Sequence, residues 1–205
     1  MFDIKSISEK LGWAGLATLL SLLCSTFAVS NLISGNPKLA IFFAALAFQL
    51  DVLDGFIARK LNKESEFGRQ LDSLSDLVNY SLIAALTTMI YLIPGVLGVI
   101  VGFLILGFGA IRLAFFNLAG FIKEEGALYY RGLITCTLSF ATLLLFFADR
   151  FSALGDYPFK EWVYAPILAL LAIGKVSNIR TPKKGVFLIW IPLSVLIGLG
   201  SLLWL

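Results

Sequence analysis

Long apolar runs follow one another along this chain, and they constrain its fold more than any other feature. Seven can be marked, at about 12–34, 37–60, 66–93, 94–120, 128–149, 158–175 and 186–205, near the ~20 residues a helix needs to cross a bilayer. Lipid offers no water to a bare peptide group, so such runs must satisfy their own backbone as helices. With 59% hydrophobic residues and 14% charged, a chain of 205 residues cannot hide its apolar surface as a soluble domain. The expected fold is an all-α integral membrane protein: a bundle of about six to seven transmembrane helices in a single domain, 1–205. Whether the last run is a full span is open. Residues 1–11, with Phe2, Ile4 and Ile7 set against Asp3, Lys5, Glu9 and Lys10, are expected to form a short N-terminal interfacial helix. Acidic residues interrupt this stretch, and no short apolar core with a cleavage site follows, so it does not read as a cleavable signal.

The basic residues orient the bundle. With the N-terminus in the cytoplasm, Lys5, Lys10, Arg59, Lys60, Lys63, Arg69, Lys123, Arg131, Lys175, Arg180, Lys183 and Lys184 fall at cytoplasmic ends. Only Lys38, Arg150 and Lys160 fall outside. That bias follows the positive-inside rule. The net charge of +3 is spread over separate loops, which suits lipid headgroups and does not suggest nucleic acid. Cys24 and Cys136 sit inside apolar runs and read as small buried residues. The chain has no histidine, so a general base would have to be another group.

Four aspartates interrupt the apolar pattern. Asp51 and Asp54 are spaced i,i+3 and Asp72 and Asp76 i,i+4, so each pair shares a helix face. If residues 37–93 form an antiparallel helix pair turning near position 63, Asp54 and Asp72 each lie nine residues from the turn. Asp51 and Asp76 lie one level deeper, at twelve and thirteen residues. Converging carboxylates in a low-dielectric site repel one another unless cations compensate them. Oxygen donors alone favour hard ions, Mg²⁺, Mn²⁺ or Ca²⁺, and four carboxylates match a site for two divalent cations, suited to phosphoryl chemistry. A proton or ion pathway in a transporter is the alternative reading. Gly55, Ala58 and Gly68 lie near the same faces and leave room for a ligand. Thr18, Ser21 and Ser25 form a polar stripe on the first helix. Arg112 is a cation inside a spanning run, either a functional group or the partner of an aspartate.

The arrangement Asp51-x-x-Asp54-Gly55-x-x-Ala58-Arg59, eight residues, Gly68-x-x-x-Asp72-x-x-x-Asp76 resembles the signature of the CDP-alcohol phosphotransferase family. The resemblance implies a membrane enzyme, usually a homodimer, that moves a substituted phosphate from a CDP-linked donor to an alcohol and releases CMP. It implies two divalent ions on Asp51, Asp54, Asp72 and Asp76, with Asp76 as the catalytic base. Asp51, Gly55, Ala58, Arg59, Gly68 and Thr18 would bind the CDP-lipid. Further segments are similar to the phosphatidylserine synthase branch: LATLLSLLCSTFAV, LDSLSDLV, IRLAFFNLAGF, YYRGL and KVSNIRTPK. Ser21, Phe115 and Ile134 depart from that branch, standing where asparagine, arginine and proline are usual. That likeness implies CDP-diacylglycerol, or its archaeal counterpart, as donor and L-serine as acceptor. Arg112, Arg180, Asn79 and Asn117 would meet the acceptor or phosphate. Inositol phosphate, glycerol phosphate or choline are the other acceptors in view. The expected setting is a prokaryotic cell membrane, with membrane lipids around the bundle and the site facing the cytoplasm.

Overall fold

The computed structural model describes residues 4–60, 65–124, 126–152, 155–183 and 186–204. Helix α1 (Ile4–Ile33) is broken at Gly12, whose φ of 52° is outside the helical region. Its membrane-length part is Leu11–Ile33. The amphipathic reading of residues 1–11 rests on side chains outside the described ones. A turn at Gly35 (φ 73°) leads into α2 (Pro37–Lys60), with proline at the first helical position. Helix α3 runs from Glu66 to Leu92. Ser65 caps it by accepting from the Gly68 amide at 3.0 Å. Two π-helical stretches, Leu77–Leu82 and Thr88–Leu92, interrupt its α-helical turns.

The remaining helices are α4 (Val96–Ala119), α5 (Thr135–Phe151), α6 (Lys160–Gly174) and α7 (Val186–Trp204). Among the described residues, four segments are long and apolar enough to cross a membrane: Leu11–Ile33, Pro37–Ile57, Glu66–Leu92 and Val96–Ala119. The last helix adds a shorter apolar stretch, Ile189–Leu203. The protein is thus an all-α membrane protein. Its outward surface agrees: Val96, Phe103, Leu118, Leu170 and Leu203 are all exposed, an apolar face that water would not tolerate over so large an area. Inside, Ile41, Phe48, Tyr80, Leu92, Ile105, Phe140, Phe146 and Leu168 form one core. Helix α1 packs along α2, α2 along α7, and α4 along α6.

One segment departs from expectation. The run at 128–149 does not start as a helix. Residues Ala127–Arg131 form strand β2, between β1 (Ile122–Glu124) and β3 (Arg180–Pro182), with Tyr129 opposite both Ile122 and Pro182. Tyr129 and Tyr130 suit a strand, and Gly132 (φ 75°) ends it. Only glycine fits there: a Cβ would lie 2.0 Å from the Lys175 carbonyl oxygen. The consequence is a shorter α5 of 17 residues, followed by an α6 of 15. These reach about 26 and 22 Å, below the ~30 Å hydrocarbon thickness. The sheet sits at the end of the bundle where α4 and α6 finish and α5 begins.

Candidate active site

The antiparallel α2 and α3 bring their aspartates together one to three turns inside the same end of the bundle as the sheet. Carboxylate oxygens of Asp51, Asp72 and Asp76 all lie within 4.8 Å of one another. The deeper α2 aspartate therefore meets both aspartates of α3. Asp54 is buried (4% exposed) and stands near Asp51, outside that trio. At such distances two full charges repel by roughly 3 kcal/mol even at an effective dielectric constant near 20. Three such pairs would consume much of a domain's typical stability, so this cluster needs compensating cations or protons.

Its hydrogen bonding is incomplete in a directed way. Asp51 Oδ2 accepts from the Tyr80 hydroxyl at 2.6 Å. Asp51 Oδ1 and Asp76 Oδ1 are buried and accept from no donor. Buried carboxylate oxygens without donors are rare and point to a missing positive partner. An all-oxygen donor set with two oxygens left open fits a hard divalent cation.

Arg112 of α4 is 6% exposed. Its Nη1 donates to Thr135 Oγ1 at 2.7 Å, and its guanidinium stacks over Tyr130 at 5.6 Å from the ring centre. Its Nε is buried and donates to nothing, and it makes no ion pair within 4.0 Å among the described residues. The plain reading of Arg112 as one half of an aspartate ion pair therefore does not hold, although Asp76 is near enough to interact with its charge.

Other expected site residues are placed differently. Asn79 is 3% exposed and its amide is engaged within the protein. Nδ2 donates to Ser21 Oγ at 2.8 Å and Ser75 Oγ at 3.2 Å, while Oδ1 accepts from Ser25. Ser21 in turn donates to the Ala47 carbonyl at 2.8 Å. The polar stripe on α1 thus fastens α1 to α2 and α3. Thr18 is buried on the same helix. Asn117 accepts from Ser73 and donates to Gln70, both at 3.0 Å, tying α4 to the first turns of α3. Arg180 is exposed on β3 and bonded to Glu124 of β1. It belongs to the sheet, not to the carboxylate trio. Gly55 is half-buried on α2, and Gly68 lies in the first turn of α3. The side chains of Ala58 and Arg59 lie outside the described residues.

Two buried groups were not anticipated. Tyr80 was legible in principle, because it continues the face of Asp72 and Asp76 at four-residue spacing. Lys175 was assigned to a cytoplasmic end. It is 1% exposed, with Nζ 3.4 Å from both Ser81 Oγ and the Ile105 carbonyl. Only tertiary packing turns it inward, beside Gly109, where a Cβ would stand 3.4 Å from Nζ.

The profile of the CDP-alcohol phosphatidyltransferase family matches residues 12–177, which takes in α2, α3 and every aspartate of the site. Among similar proteins, the CDP-diacylglycerol–serine O-phosphatidyltransferase of Bacillus subtilis is 33% identical over 104 residues, 49% of this chain and 58% of that protein. The Helicobacter pylori protein of the same name is 31% identical over 148 residues, 71% of this chain and 61% of that protein. The archaetidylserine synthase of Methanothermobacter thermautotrophicus is 25% identical over 186 residues, 89% of this chain and 75% of that protein. The chain thus spans about three fifths of the length of the bacterial relatives. With the family profile running across the carboxylate trio and the helices that carry it, the chain belongs to the CDP-alcohol phosphatidyltransferase family.

Proposed function

We propose that this chain transfers a phosphatidyl group from CDP-diacylglycerol, or the matching archaeal CDP-lipid, to L-serine and releases CMP. The observation that carries this reading is the Asp51–Asp72–Asp76 trio with open oxygens on Asp51 and Asp76. The names of the relatives supply serine as the acceptor. In this reading the serine hydroxyl oxygen attacks the phosphorus that bears the lipid, the bond from that phosphorus to the CMP oxygen breaks, and CMP leaves. Asp76 takes the hydroxyl proton. The chain has no histidine to do so, and a buried carboxylate in reach is a competent general base. Asp51, Asp54, Asp72 and Asp76 would hold two divalent cations, Mg²⁺ or Mn²⁺. When bound, such ions neutralise charge on phosphate oxygens. Gly55, Ala58, Arg59, Gly68 and Thr18 would line the CDP-lipid.

Arg112 is the cation best suited to the serine carboxylate. Its Nε–H is buried and has no acceptor, whereas Arg180 already has Glu124. Guanidinium binds carboxylate through paired N–H groups. The site faces the cytoplasm in this reading, because the basic residues gather at its end of the bundle, and the family resemblance carries the expectation of a homodimer. Incubation of purified protein with CDP-diacylglycerol and a panel of alcohols, with products identified by mass, tests the acceptor. Serine should yield a lipid product with stoichiometric CMP. A product from another alcohol, with none from serine, would move the chain elsewhere in its family.

A further inference from the structure

We infer that Tyr130 is a positioning residue for the acceptor: its ring holds the Arg112 guanidinium so that the edge bearing Nε stays open to the acceptor's carboxylate. This rests on the reading above that gives Arg112 the serine carboxylate, and it brings into the site a residue of the sheet to which that reading assigns nothing. Arginine has a long side chain, costly to hold in one pose. Among the described residues no carboxylate holds Arg112 in an ion pair. Two other contacts fix it. Nη1 donates to Thr135 Oγ1 at 2.7 Å, at the start of α5. The guanidinium carbon lies over the Tyr130 ring, 5.6 Å from its centre and within cation–π range. With the ring beneath it and Nη1 taken, the guanidinium cannot turn freely, and Nε–H is left without an acceptor.

The ring is itself held in place. Tyr130 pairs with Thr181 across β2 and β3. Its side chain packs on Phe121 at 4.9 Å and Phe116 at 5.7 Å, and those two rings meet at 5.0 Å. Lys183 lies over Phe121 at 4.1 Å. Next along the strand, Arg131 lies over Phe115 at 5.3 Å, so β2 meets α4 through two cation–aromatic contacts. The choice of an aromatic partner has a chemical consequence. A carboxylate beside Arg112 would neutralise it and occupy its N–H groups. A ring attracts the cation through its face and leaves both the charge and the in-plane donors available. Tyr130 thus acts on the acceptor through Arg112, without touching it.

The test is steady-state kinetics of the purified full chain in detergent, with serine varied at saturating CDP-diacylglycerol. Tyr130→Leu should raise KM for serine about five- to thirtyfold, the scale of a desolvated cation–π contact, and change kcat far less. Leucine also alters packing, so a graded series guards against a folding defect. Tyr130→Phe, followed by replacement of Tyr130 with mono-, di- and trifluorinated phenylalanine, keeps nearly one shape while each fluorine weakens the ring's pull on a cation. KM for serine should climb stepwise along that series. In an Arg112→Ala background, Tyr130→Leu should raise KM no further. A flat series, or a full effect of Tyr130→Leu without Arg112, would overturn the inference. If Arg112→Ala itself leaves KM for serine unchanged, the acceptor reading falls and takes this role with it. If Arg112→Ala raises KM and the series is flat, only the role of Tyr130 falls.

Discussion

Replacing one carboxylate of the trio by an amide is the sharpest single-residue perturbation this site offers. Asp72→Asn keeps the shape and hydrogen-bonding reach but removes a charge that lies within 4.8 Å of two others. The trio then repels itself less, so the fold should hold or gain stability, while Mn²⁺ or Mg²⁺ binding and turnover should be lost. Thermal unfolding in detergent and CMP release read the two effects separately. Full activity of the unchanged protein in excess chelator would count against ions altogether. The two arginines should also separate. Arg112 is buried with a free donor, and Arg180 is exposed and paired. Arg112→Ala should raise KM for serine by about ten- to hundredfold, the range of a hydrogen bond to a charged group. Arg180→Ala should change KM little, since surface pairs contribute little. Steady-state kinetics with serine varied at saturating CDP-lipid decides which arginine meets the acceptor.

Among the elements, the α1–α3 contact carries the clearest prediction. Asn79 joins Ser21 and Ser25 of α1 to Ser75 of its own helix. Asn79→Ala would strand those hydroxyls in the interior, at a cost of about 1–3 kcal/mol. The expected outcome is a lower unfolding temperature with KM for serine nearly unchanged. A large rise in KM at unchanged stability would instead return Asn79 to the acceptor site. The β2–α5 junction depends on Gly132, whose φ of 75° and contact with the Lys175 carbonyl admit no side chain. Gly132→Val should push the end of α6 away from the sheet and reduce folded yield, as judged by size-exclusion profile.

For the whole molecule, the testable property is orientation. The carboxylate trio, the three-stranded sheet and, among the described residues, Lys60, Arg69, Lys123, Arg131 and Arg180 share one end of the bundle, and the proposed function places that end in the cytoplasm. With Cys24 and Cys136 replaced, a cysteine at Ser65 should react with impermeant reagents only from the cytoplasmic side. One at Asp156 should react only from outside. The opposite pattern in intact cells and inverted vesicles would reverse the placement.

Hydropathy alone was enough to place α1 to α4, because lipid tolerates no backbone without internal hydrogen bonds, and apolar length then dictates a helix. The clustering of aspartates from two facing helices was legible too, since i,i+3 and i,i+4 spacing sets a shared face whatever packs against it. Spacing cannot say which neighbour that face meets. It suggested Asp54 opposite Asp72 and Asp51 opposite Asp76, whereas packing gathers Asp51 with both α3 aspartates. Ala127–Arg131 reads as apolar helix in isolation. It becomes a strand because β1 and β3, the latter some fifty residues on, supply partners for both of its edges. Asn79, Arg180, Tyr80 and Lys175 illustrate the same limit. Each carries a polar group whose use depends on what stands opposite: serines, Glu124, Asp51, or the Ile105 carbonyl. A side chain's chemistry is local and can be read from one residue, but its partner is chosen by the packing of helices far apart in sequence, and that choice exists only in the folded bundle.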